Sequence, residues 1–221
     1  MMPIRVKAII FDYGNVLTEA QNDAEIRAMA SVLGLARPEF EKAYWRFRVA
    51  YDEAKLEPRE YWDAVAREAS RELSESQLRD LLPLDSRSWM YARTAMVDWA
   101  NAVRRAGFQT ALLSNMPVTL RDALAGCTWL PDFQHRTLSC NLGISKPSRE
   151  IYLDCLQGLG CSPSDVLFLD DREPNVSAAR DLGMHALQFT TPTALVFELE
   201  QSFDIPAPLA ATVEKGHDQD E

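Results

Sequence analysis

Four short apolar runs are spread along the chain, and amphipathic helical patterns lie between most of them. The runs are Ala8–Phe11, Thr110–Leu113, Val166–Leu169 and Ala186–Phe189. They lack a regular alternation of apolar and polar residues, which is typical of parallel strands buried on both faces. His135–Ser139 is a weaker fifth candidate. Strands that alternate with helices predict an α/β fold with a doubly wound parallel sheet.

The first two predicted strands are separated by residues 12–109, far more than one crossover helix requires. Apolar residues at helical spacing predict several helices there: Ile26–Leu33 closed by Gly34, one stripe over Phe40–Ala54 with Pro38 in its first turn, one opened by Pro58, one capped by Ser74 and Gln77 and ended by Pro83, and one over Trp89–Ala106. We interpret residues 19–87 as an inserted helical-bundle cap, and residues 1–18 plus 88–203 as the α/β core. Residues 204–221 are predicted to form a flexible tail.

The charge and composition of the chain argue against several classes of binding partner. The chain has 33 acidic and 23 basic residues and a net charge of −10, which argues against binding to nucleic acid or to an anionic membrane surface. No apolar run approaches the roughly 18–20 residues that span a bilayer. The four cysteines form no CxxC pair, so we expect reduced thiols in a cytoplasmic protein.

Polar residues follow the predicted strands or lie in the loops between them: Asp12, Ser114, Asn115, Lys146, Asp170 and Asp171. Each has an ordinary interpretation as a turn residue, a helix cap or a solvated lysine. Because the carboxyl ends of parallel strands share one edge of the sheet, where ligands bind, we expect these side chains to converge. Like charges gathered there repel one another, and a divalent cation would offset that cost. A ligand set of oxygen atoms favours Mg²⁺ over zinc.

Four motifs carry a family resemblance. They are FDYGNVL around Asp12, LLSN at Ser114, a lysine–proline pair at Lys146, and FLDD at Asp170 and Asp171. In this order, with an insertion after the first motif, the chain resembles the haloacid dehalogenase-like (HAD) hydrolase superfamily with a helical cap. The first motif is similar to the FD-x-GNV pattern of a branch that includes sugar-1-phosphate phosphatases. The resemblance covers roughly residues 6–189.

The resemblance implies a role for each motif. Asp12 would be the nucleophile that forms an aspartyl-phosphate, Ser114 and Asn115 would bind the phosphoryl group, and Lys146 would neutralise negative charge. The implied Mg²⁺ ligands are Asp12, Asp171, Asp170 (directly or through water) and the carbonyl of Gly14. The implied activity is hydrolysis of small phosphomonoesters, with a phosphorylated metabolite such as a sugar phosphate as the partner.

One position departs from the family pattern. Phosphatases of this superfamily usually carry a second aspartate, the general acid and base, two residues after the first, and here that position is Gly14. Two alternatives therefore stay open: a 2-haloacid dehalogenase-type hydrolase, and a metal- or phosphate-binding module with impaired catalysis. The sequence does not indicate the oligomeric state, nor which of the cap residues face the substrate; the candidates are Tyr44, Trp45, Arg46, Arg48, Tyr51 and Trp62.

Overall fold

A computed structural model of the protein describes residues 3–208. Its centre is a parallel sheet of five strands in the order β3-β2-β1-β4-β5. The strands are β1 (Ala8–Phe11), β2 (Gln109–Ser114), β3 (His135–Leu138), β4 (Val166–Asp170) and β5 (His185–Gln188). Each overlaps one of the five predicted segments, and the predicted doubly wound α/β fold is confirmed. The central strand β1 is buried along its whole length.

The described residues form eleven α-helices. They are α1 (Asp23–Val32), α2 (Arg37–Arg46), α3 (Arg48–Asp52), α4 (Pro58–Glu68), α5 (Glu75–Ser88), α6 (Thr94–Arg105), α7 (Val118–Ala123), α8 (Ser139–Leu142), α9 (Arg149–Leu159), α10 (Glu173–Asp181) and α11 (Pro192–Ser202). One face of the sheet buries Phe11 and Leu112 against residues of α6 and α11, and the other buries Ile10 and Phe168 against α9 and α10. Both faces are covered, as a parallel sheet requires.

Helices α1–α5 enclose a separate apolar core that includes Phe40, Tyr61, Trp62 and Leu81. Two antiparallel segments connect this helical unit to the sheet: Thr18 bridges Ala92, and the N–H of Arg93 donates to Leu17 O at 2.8 Å. The chain therefore enters and leaves the cap helices through these two paired segments, one after β1 and the other before α6. No helix among the described residues combines the length and apolar character that a membrane-spanning segment needs.

Several predicted helix ends were wrong. The single helix expected over Phe40–Ala54 is broken at Phe47 into α2 and α3. The break directs Arg48 into the cap interior, where it contacts Asp85. Helix α5 continues through Pro83 to Ser88. Proline removes one backbone hydrogen bond of the helix. Contacts of buried residues near the helix end, such as the ion pair of Asp85 with Arg48, outweigh that loss. Helix α6 begins at Thr94 rather than at Trp89.

The segment from residue 204 was expected to be a flexible tail, but its first residues contact the core. Ile205 is buried, and the indole Nε1 of Trp99 donates to the carbonyl of Pro206. The N–H of Asp204 also donates to Ile4 O at 3.0 Å. These contacts depend on the folded sheet and leave no periodic pattern in the sequence. Residues 209–221 of the predicted tail lie outside the described residues.

Candidate active site

The carboxylate of Asp12 lies directly after β1, where the chain turns sharply. Its Oδ1 accepts the N–H of Tyr13 at 2.7 Å, and the following turn requires a left-handed residue, which Asn15 supplies with φ 59°. Asparagine tolerates this conformation better than most residues other than glycine. Within the described part of the chain, Oδ2 of Asp12 has no protein donor. One carboxylate oxygen is therefore held and the other is free to react.

Lys146 is the buried cation of the site. Its ammonium Nζ lies 2.8 Å from Asp12 Oδ1 and 2.6 Å from Asp170 Oδ2, and it donates to Leu113 O at 2.9 Å. The contacts with Asp170 and Leu113 are hydrogen bonds, and the contact with Asp12 is an ion pair. Lys146 therefore connects the ends of three neighbouring strands, β1, β2 and β4, and places its positive charge against Oδ1 of Asp12.

Asp170 is fully buried and its two oxygens are already occupied. Oδ1 accepts the N–H of Arg172 at 2.8 Å, and Nδ2 of Asn175 reaches both oxygens at 2.9 and 3.0 Å. Together with Lys146, these donors leave Asp170 suited to fixing the lysine. Asn175 was missed by the sequence analysis, and only its place in the first turns of the helix after FLDD could have indicated it.

Asp171 is half-buried and faces the same space. Its Oδ2 accepts Nδ2 of Asn15 at 2.8 Å, while its Oδ1 has no donor among the residues described. Carboxylate oxygens of Asp12, Asp170 and Asp171 lie within 4.8 Å of one another. Gly14 lines the cavity beside them. The residues predicted to bind Mg²⁺ therefore lie close together, and all of them offer oxygen atoms.

Ser114 and Asn115 both line the cavity at the end of β2, but their hydrogen bonds differ. The Ser114 side chain is 2% exposed and lines the cavity, and its hydroxyl takes no hydrogen bond from the described residues. Asn115, in contrast, donates from Nδ2 to Lys146 O at 3.0 Å and accepts the N–H of Lys146 at Oδ1, 2.9 Å away. The Asn115 side chain therefore positions the loop that carries Lys146.

Burial and charge change the proton affinities of this cluster. Burial raises the pKa of Asp12 to about 7, an effect that Lys146 opposes and Asp170 reinforces. Burial would lower the pKa of Lys146, but the carboxylates of Asp12 and Asp170 more than offset it and raise that pKa above its ordinary value. Burial also raises the pKa of Asp171. Without a bound cation, the cluster holds more negative charge than its single lysine balances.

Asp12, Lys146 and Asp171 lie on the floor of a cavity of about 550 Å³ whose wall also contains cap residues. Among the cap candidates from the sequence, Trp45 and Arg48 line it, whereas Trp62 lies in the cap core and Arg46 pairs with Glu68. The other cap and linker residues in its wall are Val49, Asp52 and Trp89. Tyr13 fixes Trp89 by donating its hydroxyl to Trp89 O at 2.9 Å.

A family model for haloacid dehalogenase-like hydrolases matches residues 6–183. The match covers most of the chain. In the structure of this chain, the carboxylates and the lysine lie together at the carboxyl edge of the sheet. The chain belongs to the haloacid dehalogenase-like hydrolase family, as the motifs predicted.

Two curated relatives differ in how much of their length the chain covers. Mouse Acyl-CoA dehydrogenase family member 10 is 35% identical over 118 residues, which are 52% of this chain and 11% of that protein. D-ribitol-5-phosphate phosphatase of Bacteroides thetaiotaomicron is 24% identical over 202 residues, 83% of this chain and 91% of the relative. The chain thus spans a small part of the first relative and most of the second.

Solved structures share the fold. A HAD family enzyme of B. thetaiotaomicron in complex with magnesium and inorganic phosphate superimposes with a TM-score of 0.68 at 18% identity, covering 84% of this chain and 94% of that one. L-2-haloacid dehalogenase from Xanthobacter autotrophicus with covalently bound chloropropionic acid gives 0.66 at 19% identity, covering 89% and 83%. At these identities the likeness concerns the fold, which both phosphate-binding and dehalogenating proteins use.

Proposed function

We propose that the protein is a Mg²⁺-dependent phosphatase of small phosphomonoesters that acts through an aspartyl-phosphate on Asp12. The observation that carries the proposal is the free Oδ2 of Asp12 on the floor of the cavity, with Lys146 Nζ 2.8 Å from the other oxygen of the same carboxylate. Phosphoryl transfer needs an aimed nucleophile and neutralised charge more than any special reactive group.

The chain's own residues supply most of these requirements. Asp12 attacks phosphorus, Lys146 balances the charge on the nucleophile and on the phosphoryl oxygens, and the Ser114 hydroxyl donates a hydrogen bond to one of those oxygens. Asp170 and Asn115 hold Lys146 in place, one through the ammonium group and the other through the backbone. The cap separates the reacting atoms from bulk water and selects the leaving group.

The residues present fit a magnesium ion. Asp12, Asp171 and the Gly14 carbonyl would hold it, since Mg²⁺ prefers oxygen ligands and Asp171 keeps one oxygen without a protein donor. Asp170, whose oxygens already accept hydrogen bonds from Lys146, Arg172 and Asn175, would act through water or by orienting Lys146. When bound, the ion supplies positive charge that stabilises the negative charge of the transferring group.

The two alternatives make different demands on the site. A haloacid dehalogenase attacks a carbon atom beside a carboxylate, and two further aspartates near Asp12 would repel such a substrate. A binding module with impaired catalysis, the alternative suggested by Gly14, would bind metal and phosphate without turnover. The Asp170–Asp171 pair favours a cation site, and the free oxygen of Asp12 favours catalysis.

The test is phosphate release from a panel of phosphorylated metabolites in the presence of Mg²⁺ or of EDTA. We expect Mg²⁺-dependent turnover that Asp12→Asn abolishes while its thermal unfolding stays cooperative. Chloride release from 2-chloropropionate without metal would support the dehalogenase instead. Absence of turnover on every ester, with Asp12→Asn indistinguishable from the wild type, would overturn the proposal.

A further inference from the structure

Gly14 leaves the proposed phosphatase without the carboxyl group that usually moves protons. Loss of general acid–base catalysis costs roughly 10²- to 10⁴-fold in rate. A substitute must line the cavity and exchange a proton near neutral pH. Besides Asp12, Lys146 and Asp171, the cavity is lined by Tyr13, by two arginines that stay charged, and by one further carboxyl group, Asp52 of the cap. Burial raises the pKa of Tyr13 above its ordinary value, so its hydroxyl does not exchange a proton near neutral pH.

Asp52 is held next to the catalytic loops from two sides. Its carbonyl accepts the hydroxyl of Ser139 at 2.5 Å, and the same Ser139 Oγ accepts the N–H of Met116, two residues after Ser114. The neighbouring Glu53 accepts the hydroxyl of Ser145 at 2.7 Å, and Ser145 directly precedes Lys146. The end of α3 is thus bound to the chain segments beside Ser114 and Lys146.

The Asp52 carboxyl group is oriented and yet partly unpaired. Oδ1 accepts Nε of Arg48 at 2.8 Å, whereas Oδ2 has no protein donor within residues 3–208. Asp85 shares the guanidinium of Arg48, at 3.0 Å, from inside the cap. The positive charge of Arg48 is therefore shared between two carboxylates, so it only partly neutralises Asp52.

We propose that Asp52 is the general acid and base of this enzyme, supplied by the cap in place of the missing aspartate at position 14. This inference rests on the proposed function. In the first step, Asp12 bonds to phosphorus, the bond from phosphorus to the leaving oxygen breaks, and that oxygen takes the proton of Asp52. In the second, a water oxygen bonds to phosphorus, the Asp12–phosphorus bond breaks, and Asp52 recovers a proton from that water.

The surroundings of Asp52 support this role. Burial raises the pKa of Asp52 to about 6; Arg48 lowers it, and Asp85 and Glu53 raise it. The Asp52 charge also acts on the titratable groups of Tyr51, Tyr61 and Cys140. A general acid works best when its pKa lies near the working pH, and the ordinary value of an aspartate is too low for that.

The experiment compares an alkyl phosphate, whose alkoxide leaves poorly without a proton, with p-nitrophenyl phosphate, whose phenolate leaves without help. Asp52→Asn should reduce kcat/KM for the alkyl ester by about 10²-fold or more and change that for the aryl ester by only a few fold. Asp80→Asn is the matched control, because Asp80 is an exposed carboxylate of cap helix α5 that does not line the cavity. It should leave the ratio of the two activities unchanged.

A measurement on the wild type covers the case in which Asp52→Asn does not fold. Across substituted phenyl phosphates, kcat/KM should stay nearly constant as the leaving phenol becomes more basic, since Asp52 protonates the oxygen. A steep fall across the series, or an equal loss on both esters in Asp52→Asn, overturns this inference alone. A wild type that hydrolyses neither ester overturns the proposed function together with it.

Discussion

Asn115 and Lys146 are joined by two reciprocal hydrogen bonds, from Asn115 Nδ2 to Lys146 O at 3.0 Å and from the Lys146 N–H to Asn115 Oδ1 at 2.9 Å. The two bonds fix the backbone at Lys146, whose ammonium Nζ lies 2.8 Å from Oδ1 of Asp12, the proposed nucleophile. The Asn115 side chain thus determines where the positive charge of the site lies.

We expect Asn115→Ala to lower both stability and activity. Loss of the two bonds leaves buried backbone groups of Lys146 without partners, which should reduce the free energy of unfolding by about 1–3 kcal/mol. A displaced lysine should reduce kcat/KM by about 10²-fold. Denaturant unfolding and phosphate release measure the two effects.

The matched control is Asn141→Ala. Asn141 is exposed. Its Oδ1 accepts a hydrogen bond from Arg121 on the surface and a weak one from the thiol of Cys140. Their loss should change the free energy of unfolding by no more than about 0.5 kcal/mol. Equal effects of the two substitutions would contradict the positioning role of Asn115.

Magnesium should stabilise the folded protein through Asp171. At a concentration one hundred times its Kd, the ion should raise the free energy of unfolding by about 2.7 kcal/mol, and thermal unfolding with and without Mg²⁺ measures the shift. In Asp171→Asn the shift should be much smaller at the same concentration. Asp181→Asn, which changes an exposed carboxylate at the end of α10, should keep the full shift; a shift of the same size in both variants would refute the assignment.

The pH dependence of stability should report the buried Asp52. Its pKa is raised from 3.8 to about 6 in the folded protein, so the folded state binds this proton more tightly than the unfolded state does. The stabilisation is fully present below pH 4 and is lost as the pH rises through about 6, by up to about 3 kcal/mol.

Asp52→Asn removes that titration. The difference in the free energy of unfolding between the variant and the wild type should therefore move in favour of the variant between pH 4 and 7. Urea unfolding across this range measures it. A constant difference over the whole range would show that Asp52 titrates at its ordinary value.

The sheet and the convergence of its end residues could be predicted because each strand is a short buried run followed by a polar residue. Parallel topology then brings Asp12, Ser114 and Asp170 to one edge of the sheet. These features depend on local pattern and on one general property of parallel sheets.

The roles of Asn175, Asn115 and Asp52 could not be predicted, because each depends on the direction of a side chain across packed elements. Helix α5 shows the same limit, since Pro83 predicts an end that contacts of Asp85 with Arg48 override. Which cap residues line the cavity depends on how the cap packs on the core, for instance through the Tyr51 hydroxyl and Thr119, 2.8 Å apart. No periodicity in the chain encodes that contact.

The central claim is that Asp12 attacks phosphorus, and chemical trapping of the intermediate tests it most directly. Enzyme mixed with a hydrolysable phosphomonoester and Mg²⁺ is quenched in acid within one turnover, reduced with borohydride and digested for mass spectrometry. Reduction of an aspartyl-phosphate should convert residue 12 to homoserine, and no other aspartate should change. Continued phosphate release with residue 12 unmodified at every quench time would contradict the account.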